Sequence, residues 1–376
     1  MLTTESADRP RNAPTGRGLL ALFAGCTADG GVQASGRLAW QAIVEAEAAL
    51  GPARLFCYGD RGPNEPQAGE AVHTDSQWRA VLAALGTPWR SARVLVWHLQ
   101  LLKLLPLFRL PDARVILFLH GIEAWRRHRW PERRLLRRVD LFLSNSDFTW
   151  RRFVHLNPEF TSARHRTVPL GIDAPWQGST PPPAAPPIAL MVSRLARAED
   201  YKGHREMLAA WPLVRRRLAD AQLWIAGDGD LRPDLERVAA EQGLGDAVRF
   251  LGRVSDAHKE SLIAQSRCMV LPSRGEGFGL VYAEAMRLGR PCLVSTLDAG
   301  QEVVAPPRHG LAVDPNDRQL LVEAVCRLLT DGIEWRQWSR FARERYESDF
   351  TAGHFWQRLL AALGDLSSSS RYQDPR

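Results

Sequence analysis

The sequence lacks the features that mark membrane-spanning, secreted and disulfide-rich proteins. It has no run of about 18 uninterrupted apolar residues, so a transmembrane helix is not expected. Residues 1–17 are polar, with Glu5 and Asp8 ahead of any hydrophobic stretch, which is unlike a secretory signal. Its cysteines are few, scattered and odd in number: Cys26, Cys57, Cys268, Cys292 and Cys326. They predict buried thiols in the reducing cytosol rather than disulfides or a zinc site.

Positive charge is placed unevenly along the chain. Residues 1–178 carry 23 Lys and Arg against 16 Asp and Glu, while the remainder is balanced at 26 of each. The excess gathers in residues 125–138, where arginines stand beside two tryptophans and a Leu-Leu pair. This composition suits the surface of an anionic bilayer, at about 1 kcal/mol per basic residue, and residues 99–110 could add an apolar face. A solvated basic helix is an equally good interpretation. Nucleic acid is not predicted as a partner, because no matching motif accompanies the charge.

Apolar runs alternate with longer helical patterns, which indicates an α/β architecture with parallel sheets. The 376 residues are enough for two domains with full cores. In the first half we predict strands at 18–24, 54–58, 94–97, 115–119, 141–144 and 167–169, and helices at 34–49 and 76–85. In the second half we predict strands at 188–192, 222–226, 247–251, 268–271 and 291–295. The predicted helices there are 203–218, 231–242, 256–265 and 279–288, followed by a helical tail over 319–363.

A proline-rich segment divides the chain. It cannot donate ladder hydrogen bonds and stays extended, so residues 179–187 are predicted to be a linker. The flanking segments 1–178 and 188–349 are then two doubly wound domains. Their cleft lies between the carboxyl ends of the two sheets, where open α/β sheets bind ligands. Residues 366–376 are expected to be a disordered tail.

The stretch from Glu276 to Glu284 is the most informative part of the chain. It follows the apolar run 268–271 and has the pattern of a strand, a glycine-rich loop and a helix start. That geometry directs backbone N–H groups and the positive end of a helix at an anion. The two carboxylates repel phosphate and must serve uncharged hydroxyls. A ligand that offers both phosphates and hydroxyls is a nucleotide sugar.

Five segments in this order carry a family resemblance: His120-Gly121-Ile122-Glu123 with Asn145-Ser146, Ser193-Arg194-Leu195 with residues 199–204, Ala226-Gly227-Asp228-Gly229, residues 250–254, and residues 276–286 with Gly289-Arg290-Pro291. They resemble the motifs of retaining glycosyltransferase family 4, within the glycosyl transferases group 1. The resemblance implies the GT-B fold: two Rossmann-like domains face each other across a cleft, and a C-terminal helix, about 350–365, crosses back to the first. It also implies hexose transfer, with mannose or glucose favoured, from a nucleotide diphosphate sugar to a lipid-linked or polysaccharide acceptor. The first domain would bind the acceptor and the second the donor.

The resemblance assigns the donor contacts to the second half. Arg194 and Lys202 would contact the diphosphate and neutralise charge that grows as the sugar leaves. Glu276 would hold hydroxyls of the transferred sugar, and Glu284 the ribose. A simpler interpretation is that the cations only pair with the acidic residues at 199–200, and that Glu284 favours a helix dipole. The other expected donor contacts are Gly31, Arg253, Val254, Gly277, Phe278, Gly279 and Leu280.

On the acceptor side, the resemblance places His120 near the reacting sugar. A core histidine satisfied by a backbone partner is the alternative interpretation. Glu123 would orient His120 or contact the acceptor, and His98, Arg126 and Arg127 are further acceptor-binding candidates. The predicted catalytic residues are His120, Arg194, Lys202 and Glu276.

No metal or other cofactor is expected. The sequence has no Asp-x-Asp motif at a strand end, and Arg194, Lys202 and a helix end could replace a divalent cation. The resemblance implies retention of configuration through same-face attack, with the departing phosphate taking the acceptor proton. Two alternatives stay open: a nucleotide-sugar epimerase on the same fold, and a non-catalytic sugar-nucleotide-binding protein. The expected location is the cytoplasm, with peripheral association at the inner face of the membrane as an option.

Overall fold

The computed structural model describes residues 18–25, 30–59, 70–86, 91–173 and 178–364. Seven parallel strands in its first half form a sheet with the order β3-β2-β1-β4-β5-β6-β7. The strands are β1 (Leu19–Ala24), β2 (Ala53–Tyr58), β3 (Glu70–Thr74), β4 (Arg93–Val96), β5 (Arg114–Leu119), β6 (Leu141–Ser144) and β7 (His165–Thr167). The central strands are almost wholly apolar and buried, as parallel strands covered by helices on both faces must be.

Six parallel strands in the second half form another sheet, with the order β10-β9-β8-β11-β12-β13. The strands are β8 (Ile188–Val192), β9 (Gln222–Ala226), β10 (Val248–Gly252), β11 (Cys268–Leu271), β12 (Cys292–Ser295) and β13 (Gly310–Val313). In each sheet the strand order reverses beside the first strand, between β1 and β4 and between β8 and β11. Ligands of such sheets bind beyond the carboxyl ends at this reversal.

The helices connect and cover the strands. They are α1 (Gly31–Glu45), α2 (Glu47–Leu50), α3 (Gln77–Gly86), α4 (Glu132–Leu136), α5 (Asp147–Leu156), α6 (His204–Arg217), α7 (Arg232–Glu241), α8 (Asp256–Gln265), α9 (Leu280–Arg287), α10 (Gly300–Val304), α11 (Arg318–Leu329), α12 (Ile333–Asp349) and α13 (Ala352–Gly364). Short 3₁₀ segments lie at Leu99–Phe108, Pro158–Phe160, Arg197–Glu199 and Gly245–Ala247. The predicted class is confirmed: an α/β protein of two doubly wound sheets.

The end of the chain returns to the first sheet. The Ile172 amide donates to the Phe350 carbonyl at 2.9 Å, just before α13 begins. Within α13, the carbonyl of Leu363 accepts from the Arg93 guanidinium at 3.1 Å. The predicted return of a C-terminal helix to the first half is therefore confirmed. The residue limits predicted for the two domains and the linker stay predictions, and the tail 366–376 lies outside the described residues.

Two interpretations of the N-terminal half are wrong. Residues 99–108 form a 3₁₀ segment in which five apolar side chains are buried, so they do not supply an interfacial apolar face. The basic stretch 125–138 is not one solvated helix, since only Glu132–Leu136 is helical. Of its apolar residues, Leu136 is buried and Trp130 is exposed.

The prediction of buried thiols is confirmed for Cys268 and Cys292, which are buried and free. Cys57 is disulfide-bonded, Cys326 is free but only partly buried, and Cys26 lies outside the described residues. The cysteines therefore no longer support the expectation of a reducing compartment. Among the described helices, none combines the length and apolar composition needed to cross a membrane.

Candidate active site between the two sheets

The loop after β11 touches the loops after β5 and β6. The Ser146 hydroxyl donates to the Gly277 carbonyl at 2.8 Å. A Cβ at Gly277 would lie 1.9 Å from the carbonyl oxygen of His120, and one at Gly121, whose φ is +151°, would lie 3.0 Å from Gly277 Cα. Only glycine allows the two backbones to approach this closely. The carboxyl ends of the two sheets are therefore in direct contact here.

Two helix N-termini meet beside this contact. Helix α1 begins at Gly31 and α9 at Leu280, and neither has a side-chain cap. A Cβ at Gly31 would lie 3.5 Å from Leu280 Cδ1, so the two first turns are neighbours. Gly279 precedes α9 in the left-handed region, at φ 82°. Uncapped first turns leave N–H groups and positive dipole ends available to an anion.

The predicted phosphate cations converge on one carboxylate. Lys202 Nζ lies 3.3 Å from Glu199 Oε2 and 3.9 Å from Glu276 Oε2. Arg194 pairs with the other oxygen of Glu199, and its side chain is 72% exposed. The simpler interpretation, pairing with Glu199, thus describes this state of the molecule. It also brings both cations within reach of one ligand, together with Glu276.

Tyr201 connects this cluster with the first half of the chain. Its ring packs against Gly275, where an added Cβ would lie 2.7 Å away. Burial raises the pKa of Tyr201, and the carboxylates of Glu199, Glu276 and Glu123 raise it further. The phenol is therefore a neutral hydrogen-bonding group among acidic side chains from both sides of the cleft.

Asp298 holds the backbone of Glu276 in place. Its Oδ2 accepts from the Glu276 amide at 3.1 Å and its Oδ1 from the Gly300 amide at 3.0 Å. The Glu276 carbonyl accepts from Ala299 at 3.0 Å. Burial raises the pKa of Asp298 to about 7, although the two amides oppose this. Burial also raises the pKa of Glu276, and the charge of Lys202 opposes that rise.

Sequence reasoning missed Asp298. The available signal was its position just after the apolar strand β12, where a carboxylate faces the cleft edge of a parallel sheet.

Glu284 has a specific cationic partner. Its Oε1 lies 2.9 Å from Lys259 Nζ, which also lies 3.1 Å from Asp256. Burial lowers the pKa of Lys259, but the charges and hydrogen bonds of Glu284 and Asp256 together outweigh it, so the pKa is raised. The predicted base contacts Arg253 and Val254 lie between β10 and α8, the helix that carries Lys259. Lys259 was not identified from the sequence.

His120 is buried at the end of β5. Its Nε2 lies 2.6 Å from the Trp97 carbonyl oxygen, and its ring stacks on Phe118 with centroids 4.7 Å apart. Burial lowers the pKa of His120 to about 4, although Glu123 opposes this. A carbonyl only accepts, so the neutral ring carries its proton on Nε2 and its Nδ1 is an acceptor. The backbone partner is the one expected for a core histidine.

The other acceptor candidates have structural roles. Glu123 Oε1 accepts from the amides of His120 at 2.6 Å and Gly121 at 3.2 Å, so it shapes the loop. His98 Nδ1 accepts from the Gln100 amide at 3.3 Å and caps the 3₁₀ segment. The His98 and His120 rings are near-parallel, with centroids 6.2 Å apart.

Arg126 and Arg127 are not brought together with His120. Arg126 binds Glu132 at 2.8 Å, and Arg127 lines a separate cavity. Their role in acceptor binding stays a prediction.

A carboxylate from the second half caps a helix of the first. Glu302 on α10 accepts from the amides of Asp147 and Phe148, both at 2.7 Å, at the start of α5. It also lies 2.9 Å from Arg151. This second cross-sheet contact was not predicted.

The cluster can bind a diphosphate and polar hydroxyls together. It combines two cations, two uncapped helix N-termini and a partly buried carboxylate at one contact. Within the residues that the structure describes, no group of three or more His, Cys, Asp and Glu is arranged to hold a metal ion.

Known proteins resemble this chain in sequence and fold. Residues 186–331 match the family described as Glycosyl transferases group 1. Glycogen synthase from Mycobacterium tuberculosis is 30% identical over 266 residues, which cover 68% of this chain and 63% of that protein. Phosphatidyl-myo-inositol mannosyltransferase from Mycobacterium leprae is 34% identical over 182 residues, or 48% and 46% of the two chains. The solved sucrose-phosphate synthase from Thermosynechococcus elongatus has a TM-score of 0.73 at 21% identity, covering 94% of this chain and 100% of that one.

Two doubly wound sheets in contact at their carboxyl ends, with a returning C-terminal helix, define the GT-B class. Within this class, the chain belongs with the family 4-like glycosyl transferases of group 1. It spans less than two thirds of the length of the curated relatives described above.

Proposed function

We propose that the protein is a retaining hexosyltransferase that uses a nucleotide diphosphate sugar as its donor. The observation that carries this proposal is the pairing of Lys202 with Glu276 beside the contact of the two sheets, 3.9 Å between Nζ and Oε2. A cation for phosphate and a partly buried carboxylate that can accept from hydroxyls stand next to each other. A sugar joined to a diphosphate carries hydroxyls beside phosphate oxygens, so it needs both kinds of group side by side.

The donor diphosphate takes the place that Glu199 now fills. Arg194 binds two phosphate oxygens through its planar guanidinium, while Lys202 supplies a compact charge. Glu199 neutralises both cations until the donor arrives. Glu276 then holds the hexose, and Glu284, oriented by Lys259, holds the ribose.

The transfer needs no metal and no covalent enzyme intermediate. The bond between the anomeric carbon and the phosphate oxygen breaks, and the acceptor oxygen bonds to the same face of that carbon. The departing phosphate oxygen takes the proton of the acceptor hydroxyl. Arg194, Lys202 and the first turn of α9 stabilise the negative charge that grows on the phosphate. His120 accepts a hydrogen bond through Nδ1 and positions the sugar.

The transferred hexose is mannose, with GDP-mannose as the donor, or glucose, with UDP-glucose as the donor. The acceptor is a lipid-linked or polysaccharide glycan. The similarity to phosphatidyl-myo-inositol mannosyltransferase supports a membrane-proximal acceptor. The excess of arginine in residues 126–138 supports peripheral association with an anionic membrane face.

A thermal-shift screen with GDP, UDP and ADP sugars tests the donor. One of them should raise the melting temperature of the native protein, because it binds only the folded state. The Lys202→Met variant should lose most of that shift, while Arg237→Gln, which changes an exposed pair with Glu241, should keep it. Incubation with labelled donor and acceptor then distinguishes transfer from epimerisation. An epimer as the main product, or no shift with any of the three, contradicts the proposal.

A further inference from the structure

A cavity of about 650 Å³ lies in the first half of the chain, away from the cluster around Lys202. Five arginines of segment 127–137 line it, together with His128 and Trp130, and we call it the arginine cavity. The segment covers the loop after β5 and the short helix α4. A volume of this size accommodates a diphosphate or a larger phosphate ester.

Most of the charge in the arginine cavity is uncompensated. Arg133 lies 2.7 Å from Glu159. The other four arginines have no carboxylate partner within the part of the chain that the structure describes. Like charges held around one cavity repel each other, and an anion relieves that repulsion. Guanidinium groups are matched in geometry to phosphate oxygens.

A second acidic side chain near the cavity, Glu132, is already engaged by other cations. Glu132 lies 3.1 Å from Lys103, 2.8 Å from Arg126 and 3.1 Å from His128. Burial alone raises the pKa of Glu132, but hydrogen bonds from His128 and Lys103 and the charge of Arg126 lower it to about 2. Glu132 therefore stays ionised and directed at these partners, and does not balance the cavity.

His128 gives a second and independent indication of a ligand. The residue is 3% exposed, and its Nε2 is buried without a hydrogen-bond partner in the described structure. Its amide donates to Asn157 Oδ1 at 2.9 Å, which fixes the loop to the end of α5. An unsatisfied buried nitrogen costs free energy that a ligand can recover. Phosphate suits either state of the ring, because P–OH donates and P–O⁻ accepts.

We propose that the arginine cavity binds a phosphate-ester group, either a phosphomonoester or a diphosphate, at a site separate from the donor diphosphate. Trp130, which is 78% exposed, adds a flat apolar surface for the organic part of the ligand. The assignment of this phosphate to the glycan acceptor rests on the proposed transferase function, whereas the anion site itself does not.

Titration calorimetry with inorganic pyrophosphate tests the site. All proteins carry Lys202→Met, so that the donor-side cations contribute little. Arg129→Gln/Arg134→Gln should weaken binding by at least about tenfold. The matched control is Arg336→Gln/Arg340→Gln on α12, which removes the same charge from exposed positions. It should change the affinity by less than about twofold.

A second arm distinguishes a lipid headgroup from a soluble phosphate. Co-sedimentation compares vesicles of phosphatidylcholine with and without phosphatidylglycerol. One outcome is that the protein pellets only with vesicles that contain phosphatidylglycerol, that Arg129→Gln/Arg134→Gln abolishes this pelleting, and that pyrophosphate does not bind. This outcome supports the site and identifies its ligand as a lipid phosphate. Pyrophosphate binding alone supports a phosphate outside the bilayer. Equal behaviour of this variant and the control in both arms overturns the proposal. In protein that retains the native Lys202, the Arg129→Gln/Arg134→Gln variant should keep the donor thermal shift, so the two proposals fail separately.

Discussion

Charge is compensated at the contact between the two sheets but not in the arginine cavity. At the contact, Lys202 is shared between Glu199 and Glu276, and its side chain is only 15% exposed. In the cavity, most of the arginines are exposed and have no carboxylate partner within the described residues. The first region is enclosed and nearly neutral, while the second is open and strongly cationic.

This difference predicts two kinds of response to substitution. Salt screens enclosed charge pairs only weakly, so the effect of changing one charge depends on where its partner lies and how it is oriented. Exposed charges act mainly through the net charge of the surface, and salt screens that effect. Changes at the contact should therefore be large, specific and insensitive to salt. Changes in the cavity should be graded and salt-dependent.

The largest expected effect comes from Glu276→Gln. The substitution keeps the shape of the side chain but weakens its hydrogen bonds with the sugar hydroxyls, so turnover should fall by about 10²–10³-fold. Donor binding should persist because Arg194 and Lys202 are intact. Turnover of labelled donor and the nucleotide thermal shift measure the two separately. Glu241→Gln on α7 is the control for the same chemical change at an exposed site. A loss of turnover that high salt restores would contradict the enclosed character of the contact.

Gly277→Ala tests whether the two sheets must touch. The added Cβ would lie 1.9 Å from the His120 carbonyl, so the loops must separate. We expect a cost of about 1–3 kcal/mol in the closed arrangement and a drop in turnover of tenfold or more. Gly332→Ala is the matched control, because nothing lies within 4 Å of its added Cβ. Small-angle scattering should show a larger radius for Gly277→Ala only. Unchanged radius and activity would show that the contact is not needed.

The alternation of apolar and helical patterns predicted both sheets, with exceptions at their edges. Strands β3 (Glu70–Thr74) and β13 (Gly310–Val313) were missed. Each is the last strand of its sheet and pairs with a single neighbour. Edge strands need fewer apolar residues and so give a weaker pattern. A different error occurred at residues 99–108, where most of the leucines pack into the core of the first half rather than being available to a membrane.

The sequence located the cluster but not what holds it. Lys202 and Glu276 follow predicted strands, and strand ends of a parallel sheet converge. Asp298, Lys259 and Glu302 act through elements distant in the chain, so their partners depend on packing that no local pattern records.

Glu302 tests the contact at its periphery, where charge is partly exposed. Glu302→Ala removes the acceptor for two amides at the start of α5, and should cost roughly 1 kcal/mol of unfolding free energy. Glu302→Gln keeps an acceptor oxygen for one of the two amides and loses the other acceptor together with the ion pair with Arg151, so its effect should be smaller. Chemical denaturation measures both. If both variants lost the same free energy of unfolding, the stabilisation by Glu302 would come from its charge rather than from capping the helix.

The smallest effect concerns pH and the carboxyl of Asp298. Burial raises its pKa from 3.8 to about 7, so between these values the folded state holds a proton that the unfolded state has released. The contribution of this proton to the free energy of unfolding is fully present below pH 3.8 and is lost as pH rises through about 7. Burial lowers the pKa of His120, His165 and His204 to about 4 and also lowers the pKa of His309. Their contributions act in the opposite direction until the unfolded histidines, with a pKa of 6.5, have lost their protons.

The histidines are common to wild type and Asp298→Asn, so the difference in stability between the two proteins between about pH 5 and 8 isolates this carboxyl. The stability of wild type relative to the variant should fall as pH rises through about 7. Asp298→Asn should be less stable at the lower pH, because its amide cannot accept from both Glu276 and Gly300, but it should not share this loss. Raised salt should leave the wild-type slope in place, since the group is buried. An identical slope in the two proteins would remove Asp298 as its source, leaving Glu276, whose pKa is also raised by burial.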